Sequence, residues 1–442
     1  MKDKLSNAKS FSYMELKAPI TAQMELTPRC NNSCLYCYNY WRGDRKYENE
    51  LNLEESLKIA TKLADNEIFG VVLTGGEPLL RRDLVYPLAN YFSSKEIDVK
   101  MNTNLTMLNK EDTQKIKDSG ISSLFAPLPS SNEKTYSEIT RTKNFRKAIS
   151  GIELAVKQNI PLALNMVIIK SNKHQVYETG KFVRNLGVSS FAATPAIPCV
   201  YLEKKFELTN KDIMQTLDDL LALEKEFGMN VGIVETIPRC AVRDPQKYEK
   251  FLGRDCGVGR TTIAISSSGN IRPCTHSPKE YGNLLKENLT DIWQRMKGWR
   301  NGNFVPRQCS NCNELELCSL GCREAAKTKC GSYKGLDPRA LPENIQDTRK
   351  ILRRIPEVDT STKFSVIGGL KYRNEKKGML IFSPRNSAVA YMNQQFFNFL
   401  IYLKKKDCFT IDELSSEFKE NKKEQISDIV KFLNAKGLIK KW

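Results

Sequence analysis

The chain has 442 residues, with 69 lysines and arginines against 51 aspartates and glutamates, so its formal charge is +18. At 40% hydrophobic and 27% charged residues it has the balance of a folded protein and not of a disordered polyelectrolyte. Its length allows roughly two to four domains with substantial cores. No uninterrupted apolar stretch approaches a membrane span, and Met1-Lys2-Asp3-Lys4 leads into polar residues instead of a secretion-type apolar core. Cytoplasm is therefore the expected compartment, and a membrane is not an expected partner.

After an N-terminal segment, residues 1–20, the stretch 21–235 reads as alternating strands and helices. Strands are predicted at 22–27, 69–74, 97–102, 123–126, 162–169 and 189–193, with helical patterns such as 53–63, 109–118 and 145–158 between them. This is the α/β alternation of a parallel sheet covered by helices, and it predicts an open, partial barrel of about six units. Asn159-Ile160-Pro161 ends one helix before an apolar strand, and Gly120, Gly187 and Gly228 mark other helix-to-strand exits.

From 236 to 335 the alternation gives way to cysteines, glycines and short turns, with one small helix expected at 289–296. Metal ligation would organise this region better than its apolar content. A linker, 336–362, with a basic helical stretch at 347–354, leads to a last unit at 363–442. Strands are predicted there at 364–368, 379–383 and 389–392, and helices at 393–404, 410–418 and 424–436. Thr410-Ile411-Asp412-Glu413 is a capping-box signature, Gly437 can end the last helix in a left-handed conformation, and Ile426, Ile429, Val430 and Leu433 form that helix's buried stripe. The pattern is winged-helix-like, with 436–442 as a final exposed or edge segment.

Thirteen cysteines beside two histidines favour a thiolate-rich site over mixed zinc ligands, and a disulfide framework explains such clustering poorly in the cytoplasm. Cys30, Cys34 and Cys37 form C-x3-C-x2-C. Three such thiolates can hold three irons of a [4Fe-4S] cluster and leave the fourth open to a small ligand. A structural zinc loop is the alternative, and it would need another ligand. The next strand opens into Gly75-Gly76-Glu77-Pro78, where two small residues permit close backbone approach and a carboxylate can face an ammonium group.

The triplet, the aromatic Tyr36 before its last cysteine, and the GGEP loop together resemble the radical S-adenosylmethionine (SAM) superfamily. The resemblance implies that S-adenosyl-L-methionine binds the open iron with its amino group at Gly75-Gly76-Glu77-Pro78, and that Cys30, Cys34 and Cys37 serve catalysis as cluster ligands. It further implies a ribose contact at Asn104, a carboxylate contact at Arg141 and another cofactor contact at Thr194. Asn104 or Arg141 could instead cap a helix or make a surface ion pair. The implied chemistry is reductive cleavage of the sulfonium to methionine and a 5'-deoxyadenosyl radical, which abstracts a substrate hydrogen while the protein positions the target carbon. A flavodoxin or ferredoxin is the implied electron donor.

Further on, Cys256, Gly269 and Cys274 precede Cys309-x2-Cys312-x5-Cys318-x3-Cys322 and then Cys330. This order resembles the seven-cysteine SPASM domain and implies two auxiliary [4Fe-4S] clusters, three clusters in all. By family pattern Cys309, Cys312, Cys318 and Cys330 close one, while Cys256, Cys274 and Cys322 enter the other. Cys240, sixteen residues before Cys256, is the candidate for the latter's fourth position. Otherwise that iron is open to substrate. Cys199, just past the sixth strand, is either a hydrogen donor at the reaction chamber or an ordinary packed thiol, and Cys408 reads as packing. His174 and His276 lack partners in the sequence that would define an acid-base pair, and read as polar or surface residues.

Residues 377–385, followed by Ala390-Tyr391-Met392-Asn393, resemble the PqqD-like domains that recognise precursor peptides. Such a domain can take a leader peptide as an extra strand and hold the core peptide near the barrel at high effective concentration. The whole then implies a radical SAM maturase that makes a carbon-carbon, carbon-oxygen or thioether crosslink in a ribosomally made peptide. The alternatives are a sulfatase maturase or other SPASM dehydrogenase, a radical peptide epimerase, and a nucleic-acid-binding iron-sulfur protein. Charge alone supports only weak phosphate attraction, so no stable nucleic-acid partner is expected.

Overall fold

The computed structural model describes residues 16–39, 49–198, 202–254, 256–315, 317–345, 358–384, 388–418 and 423–442. They form two compact units, one built on residues 18–349 and one on residues 350–442 together with Leu16 and Lys17. Among the described residues no helix is long and apolar enough to cross a membrane.

In the larger unit, strands β1 (Thr21–Glu25), β2 (Gly70–Thr74), β3 (Asp98–Asn102), β4 (Ile121–Pro127), β5 (Leu162–Ile168) and β6 (Ser190–Pro195) lie side by side in chain order. Every neighbouring pair is parallel, as in a partial (β/α)6 TIM barrel. Parallel strands are covered on both faces, which is why β2 reads Gly-Val-Val-Leu-Thr with little alternation. The covering helices include α1 (Leu53–Asp65), α2 (Arg82–Ser94), α3 (Lys110–Asp118), α4 (Glu133–Thr140), α5 (Phe145–Lys157), α6 (Val176–Asn185) and α7 (Asn210–Phe227). Asn52 with Glu55, Asn109 with Asp112 and Thr209 with Asp212 form capping boxes that satisfy the first-turn amides of α1, α3 and α7. Gly120, Gly187 and Gly228 stand at the predicted exits with φ of +77°, +85° and +63°.

The sheet runs beyond six strands at both edges. β7 (Asn230–Gly232) pairs parallel with β6, and β8 (Thr262–Ile265) pairs parallel with β1. β8 then continues antiparallel into β9 (Asn270–Arg272) and β10 (Gly282–Asn283). The cysteine-rich region, expected as short turns, thus contributes three strands to the barrel's own sheet. Strands of two to four residues carry too little periodicity to be read from sequence. The expected small helix is present as α8 (Leu289–Arg295), and α9 (Arg323–Cys330) follows the cysteine run.

The smaller unit pairs β11 (Phe364–Val366) antiparallel with β15 (Ile439–Lys441), and β12 (Lys371–Glu375), β13 (Gly378–Ser383) and β14 (Ala388–Met392) form an antiparallel meander. Helices α10 (Gln394–Lys404), α11 (Ile411–Glu417) and α12 (Lys423–Ala435) lie at the expected places. β12 was not among the expected strands; its Lys-Tyr-Arg-Asn-Glu composition hides a buried Arg373–Glu375 pair. The Thr410 capping box is formed, Gly437 has φ +61°, and Ile426, Val430 and Leu433 are buried with Ile429 packed beside them.

Candidate active site

The cysteine triplet follows β1 at the carboxyl end of the sheet, where barrel enzymes place their chemistry. Pairing between the two chain segments continues beyond the strands: Leu26 N–H donates to Thr74 O at 2.9 Å, Gly76 N–H to Thr27 O at 2.6 Å and Glu77 N–H to Arg29 O at 2.8 Å. The close approach that Gly75 and Gly76 permit is therefore to the protein's own backbone. A Cβ on Gly76 would sit 2.0 Å from Arg29 O, and one on Gly75, at φ +142°, would sit 2.5 Å from Thr27 O. From the other side, Ser33 N–H and Leu35 N–H donate to Thr140 O and Ile139 O at 2.9 and 2.8 Å, so the loop rests on the last carbonyls of α4.

Glu77 is almost fully buried. Its Oε1 accepts from Thr103 Oγ1 at 2.6 Å and Leu79 N–H at 3.1 Å, and its Oε2 from Asn104 N–H at 2.8 Å. Burial pushes its pKa up, and these hydrogen bonds pull it back. The carboxylate thus ties the GGEP loop to the loop after β3, while Pro78 opens a tight helical turn at Pro78–Arg81. Asn104 donates from Nδ2 to Asn31 Oδ1 at 2.8 Å, lies 3.9 Å from Cys30 Sγ, and accepts from Thr106 at Oδ1. It is no helix cap, because Asn109 caps α3.

Arg141 is the left-handed residue after α4, at φ +55°, with an exposed side chain that makes no ion pair among the described residues. Thr194 is buried at the end of β6, donating to Asn165 Oδ1 at 2.7 Å and accepting from Val234 N–H at 3.0 Å, so its hydroxyl ties β5, β6 and the segment after β7 together. The Tyr36 ring joins the apolar cluster of Ile139, Ile169 and Leu202, with Cys34 beside its buried hydroxyl. Cys199 lies outside the described residues.

The later cysteines fall into two groups. Burial pushes the thiols of Cys274 and Cys322 well up, and Cys256 stands near both. This group adjoins the first site: Ile197, just past β6, packs on Cys322 and Ala325, and Tyr38, next to Cys37, meets the His276 ring edge-on at 4.2 Å. Cys309, Cys312 and Cys318 form the second group, and burial pushes the Cys309 thiol up to about 11 with its two neighbours adding to the effect. Cys240 was expected to join Cys256, Cys274 and Cys322. Burial pushes its thiol up to about 12, and the thiols that reinforce this are Cys318, Cys309 and Cys312, not Cys256, Cys274 or Cys322. Cys330 is exposed at the far end of α9.

Residues 24–183 match the Radical SAM superfamily, and residues 256–313 match SPASM, an iron-sulfur cluster-binding domain. The chain is a radical SAM enzyme with a SPASM domain. It is 24% identical over 348 residues, 73% of this chain and 97% of the relative, to the AdoMet-dependent heme synthase of Methanosarcina barkeri. It is also 24% identical over 385 residues, 84% of this chain and 96% of the relative, to the PqqA peptide cyclase of Bradyrhizobium diazoefficiens. Streptococcus suis SuiB, solved bound to its precursor peptide SuiA, shares the fold at TM-score 0.61 and 16% identity, over 78% of this chain and 79% of SuiB.

The donor set of this radical SAM enzyme fits iron-sulfur clusters. Burial, with the nearby Glu77 and Cys37 adding to it, pushes the Cys30 thiol up to about 11, so several clustered thiolates would be unfavourable here without a positive group among them. Among the described residues no three His, Cys, Asp or Glu side chains converge on a single ion, so the further ligand that a zinc loop would need is not supplied.

Two features of the SPASM region were not legible in sequence. His276, expected at the surface, is largely enclosed, with Nε2 3.7 Å from Glu235 Oε1 and Tyr38 against its ring. Arg272 of β9 makes a fully buried ion pair with Glu25 of β1 and donates to Thr275 O and Ser277 O at 3.2 and 3.0 Å, which holds the loop after Cys274. The Tyr38–His276 and Glu25–Arg272 contacts each join residues more than 200 apart in the chain, and no local spacing announces them.

Proposed function

We propose that this radical SAM enzyme matures a ribosomally made precursor peptide by forming an intrapeptide carbon-carbon, carbon-oxygen or thioether crosslink. The observation that carries the reading is the second compact unit. Following the radical SAM and SPASM domains in the chain, it joins a three-stranded antiparallel meander to three helices, an arrangement suited to taking up a leader as an added strand. The PqqA peptide cyclase, aligned over 84% of this chain, is a relative that works on a peptide, and SuiB binds one.

In this reading the domains run 21–235 for the barrel, 236–335 for SPASM and 363–442 for a PqqD-like unit, with 336–362 as linker. S-adenosyl-L-methionine bound at a cluster held by Cys30, Cys34 and Cys37 supplies the 5'-deoxyadenosyl radical. The chain's own part is to position. Glu77 keeps lone pairs beyond those it gives Thr103, Leu79 and Asn104, and could accept from the cofactor's ammonium, while Asn104 would contact its ribose and Arg141 its carboxylate. Thr194 acts by fixing Asn165 and the segment at 234. Two auxiliary [4Fe-4S] clusters, where held by the later cysteines, would accept the electron released when the crosslink closes, and a cytoplasmic flavodoxin or ferredoxin would supply the reducing electron.

The test supplies reconstituted, reduced enzyme with S-adenosyl-L-methionine and the short peptide encoded beside its gene. Loss of two hydrogens from the peptide, matched by 5'-deoxyadenosine, supports crosslinking. Unchanged mass with inverted stereochemistry assigns an epimerase. Turnover of a small non-peptide substrate, the class suggested by the heme synthase relative, would overturn the peptide reading.

A further inference from the structure

The GGEP loop is tied to the cysteine loop by side chains as well as by backbone, and the carboxylate of Glu50 makes that tie. Glu50 lies just ahead of α1, and its side chain is 17% exposed. Its Oε1 accepts from Thr27 Oγ1 at 2.6 Å and from Arg29 Nε at 3.0 Å. Its Oε2 accepts from Arg29 Nη2 at 3.0 Å and from Arg81 Nη1 at 2.8 Å. Thr27 and Arg29 precede Cys30, while Arg81 closes the tight turn that Pro78 opens, so one carboxylate spans both loops. The backbone bonds from Gly76 N–H to Thr27 O and from Glu77 N–H to Arg29 O involve the same two residues of the cysteine loop.

Arg81 has further anchors. Its Nε donates to Asp83 Oδ1 at 3.0 Å and its Nη2 to Leu51 O at 3.1 Å. Leu51 N–H in turn donates to Ser267 O at 2.8 Å, in the turn between β8 and β9, so the SPASM region braces the residue next to Glu50. Exposed ion pairs contribute little, but Arg81 is 11% exposed at its side chain and Thr27 is wholly buried. The donors from Thr27, Arg29 and Arg81 fill the roughly four acceptor sites of a carboxylate, which leaves Glu50 none for cofactor or substrate. Without its charge, the Arg29 and Arg81 guanidinium groups would lose the counter-ion they share and push the two loops apart.

We propose that Glu50 is a positioning residue for S-adenosyl-L-methionine, fixing the spacing between the loop of Cys30, Cys34 and Cys37 and the Glu77 carboxylate. The proposal rests on the reading of Gly75-Gly76-Glu77-Pro78 as the site of the cofactor's ammonium. It adds a residue that sets the geometry of that site without touching the cofactor.

The experiment reconstitutes the full chain anaerobically as wild type, Glu50→Gln, Arg81→Gln and the double variant. Iron content, the urea midpoint, the dissociation constant for S-adenosyl-L-methionine in equilibrium dialysis, and the EPR spectrum of the reduced enzyme with and without the cofactor are measured. Each single variant is expected to keep the wild-type iron content, to bind the cofactor about tenfold more weakly, and to show a smaller cofactor-induced change in the EPR spectrum. The double variant is expected to bind no more weakly than either single one, because both break the same link. Wild-type affinity in both single variants overturns the proposal even where the urea midpoint falls, since a carboxylate that only stabilises the fold would move the midpoint alone. Additive losses in the double variant overturn it, and so does loss of iron in both single variants, which would mean that Glu50 holds the cluster and not the spacing. If one single variant loses iron, the other decides by its affinity. Wild-type enzyme that binds no S-adenosyl-L-methionine overturns the cofactor reading of the loop itself.

Discussion

Gly76→Ala separates two reasons for the glycines of the GGEP loop, cofactor approach and strand packing. The new Cβ would stand 2.0 Å from Arg29 O, 2.4 Å from Arg29 C and 2.8 Å from Pro28 O, all backbone atoms that no rotamer change can move aside. Gly76 has no left-handed φ, so the penalty is steric. Relief requires the two loops to part, which breaks the hydrogen bonds from Gly76 N–H to Thr27 O and from Glu77 N–H to Arg29 O. At about 1 kcal/mol for each bond and about 1–3 kcal/mol for overpacking, the substitution should cost about 3–5 kcal/mol. The assay is urea unfolding of the apoprotein with amide exchange at residues 26–30 and 74–77. A lowered midpoint and faster exchange in those segments, without any cofactor present, are expected. A variant that unfolds at the wild-type midpoint and loses only affinity for S-adenosyl-L-methionine would refute the packing argument.

Three further substitutions probe other parts of the chain. Arg141→Ala removes an exposed side chain, so stability should move by less than about 0.5 kcal/mol and cluster content not at all, while the dissociation constant for S-adenosyl-L-methionine rises in equilibrium dialysis. Burial would raise the Asp212 carboxyl, but hydrogen bonds from Lys170, Lys173 and Thr209 overcome this and hold it well below the usual range. Its stabilisation is present above the unfolded pKa and is lost as pH falls through the folded one, so Asp212→Asn should cost about 1–2 kcal/mol at about pH 7 and progressively less below about pH 4 in apoprotein urea titrations. Thr410→Ala removes the hydroxyl that accepts from Glu413 N–H at 3.0 Å, and should cost about 1 kcal/mol, read as faster amide exchange in the first turn of α11.

Much of the fold is legible because its causes are local. The C-x3-C-x2-C run and the GGEP loop carry their chemistry within a few residues, the helix caps act across one turn, and Gly120, Gly187, Gly228 and Gly437 answer to a single dihedral angle. The order of parallel strands likewise follows from alternation along the chain. Sequence therefore determined that this is a radical SAM barrel followed by a cysteine field and a small strand-and-helix unit. It could not say which thiol stands beside which, because that depends on where distant segments pack. An Arg239–Glu314 pair 75 residues apart ties the segment before Cys240 to the loop between Cys312 and Cys318, and Glu25 meets Arg272 across 247. Even the two glycines of the GGEP loop changed meaning once Arg29 O was found against Gly76. Tertiary structure decides these matters, since a buried charge or a close backbone contact is favourable only when its partner is already in place.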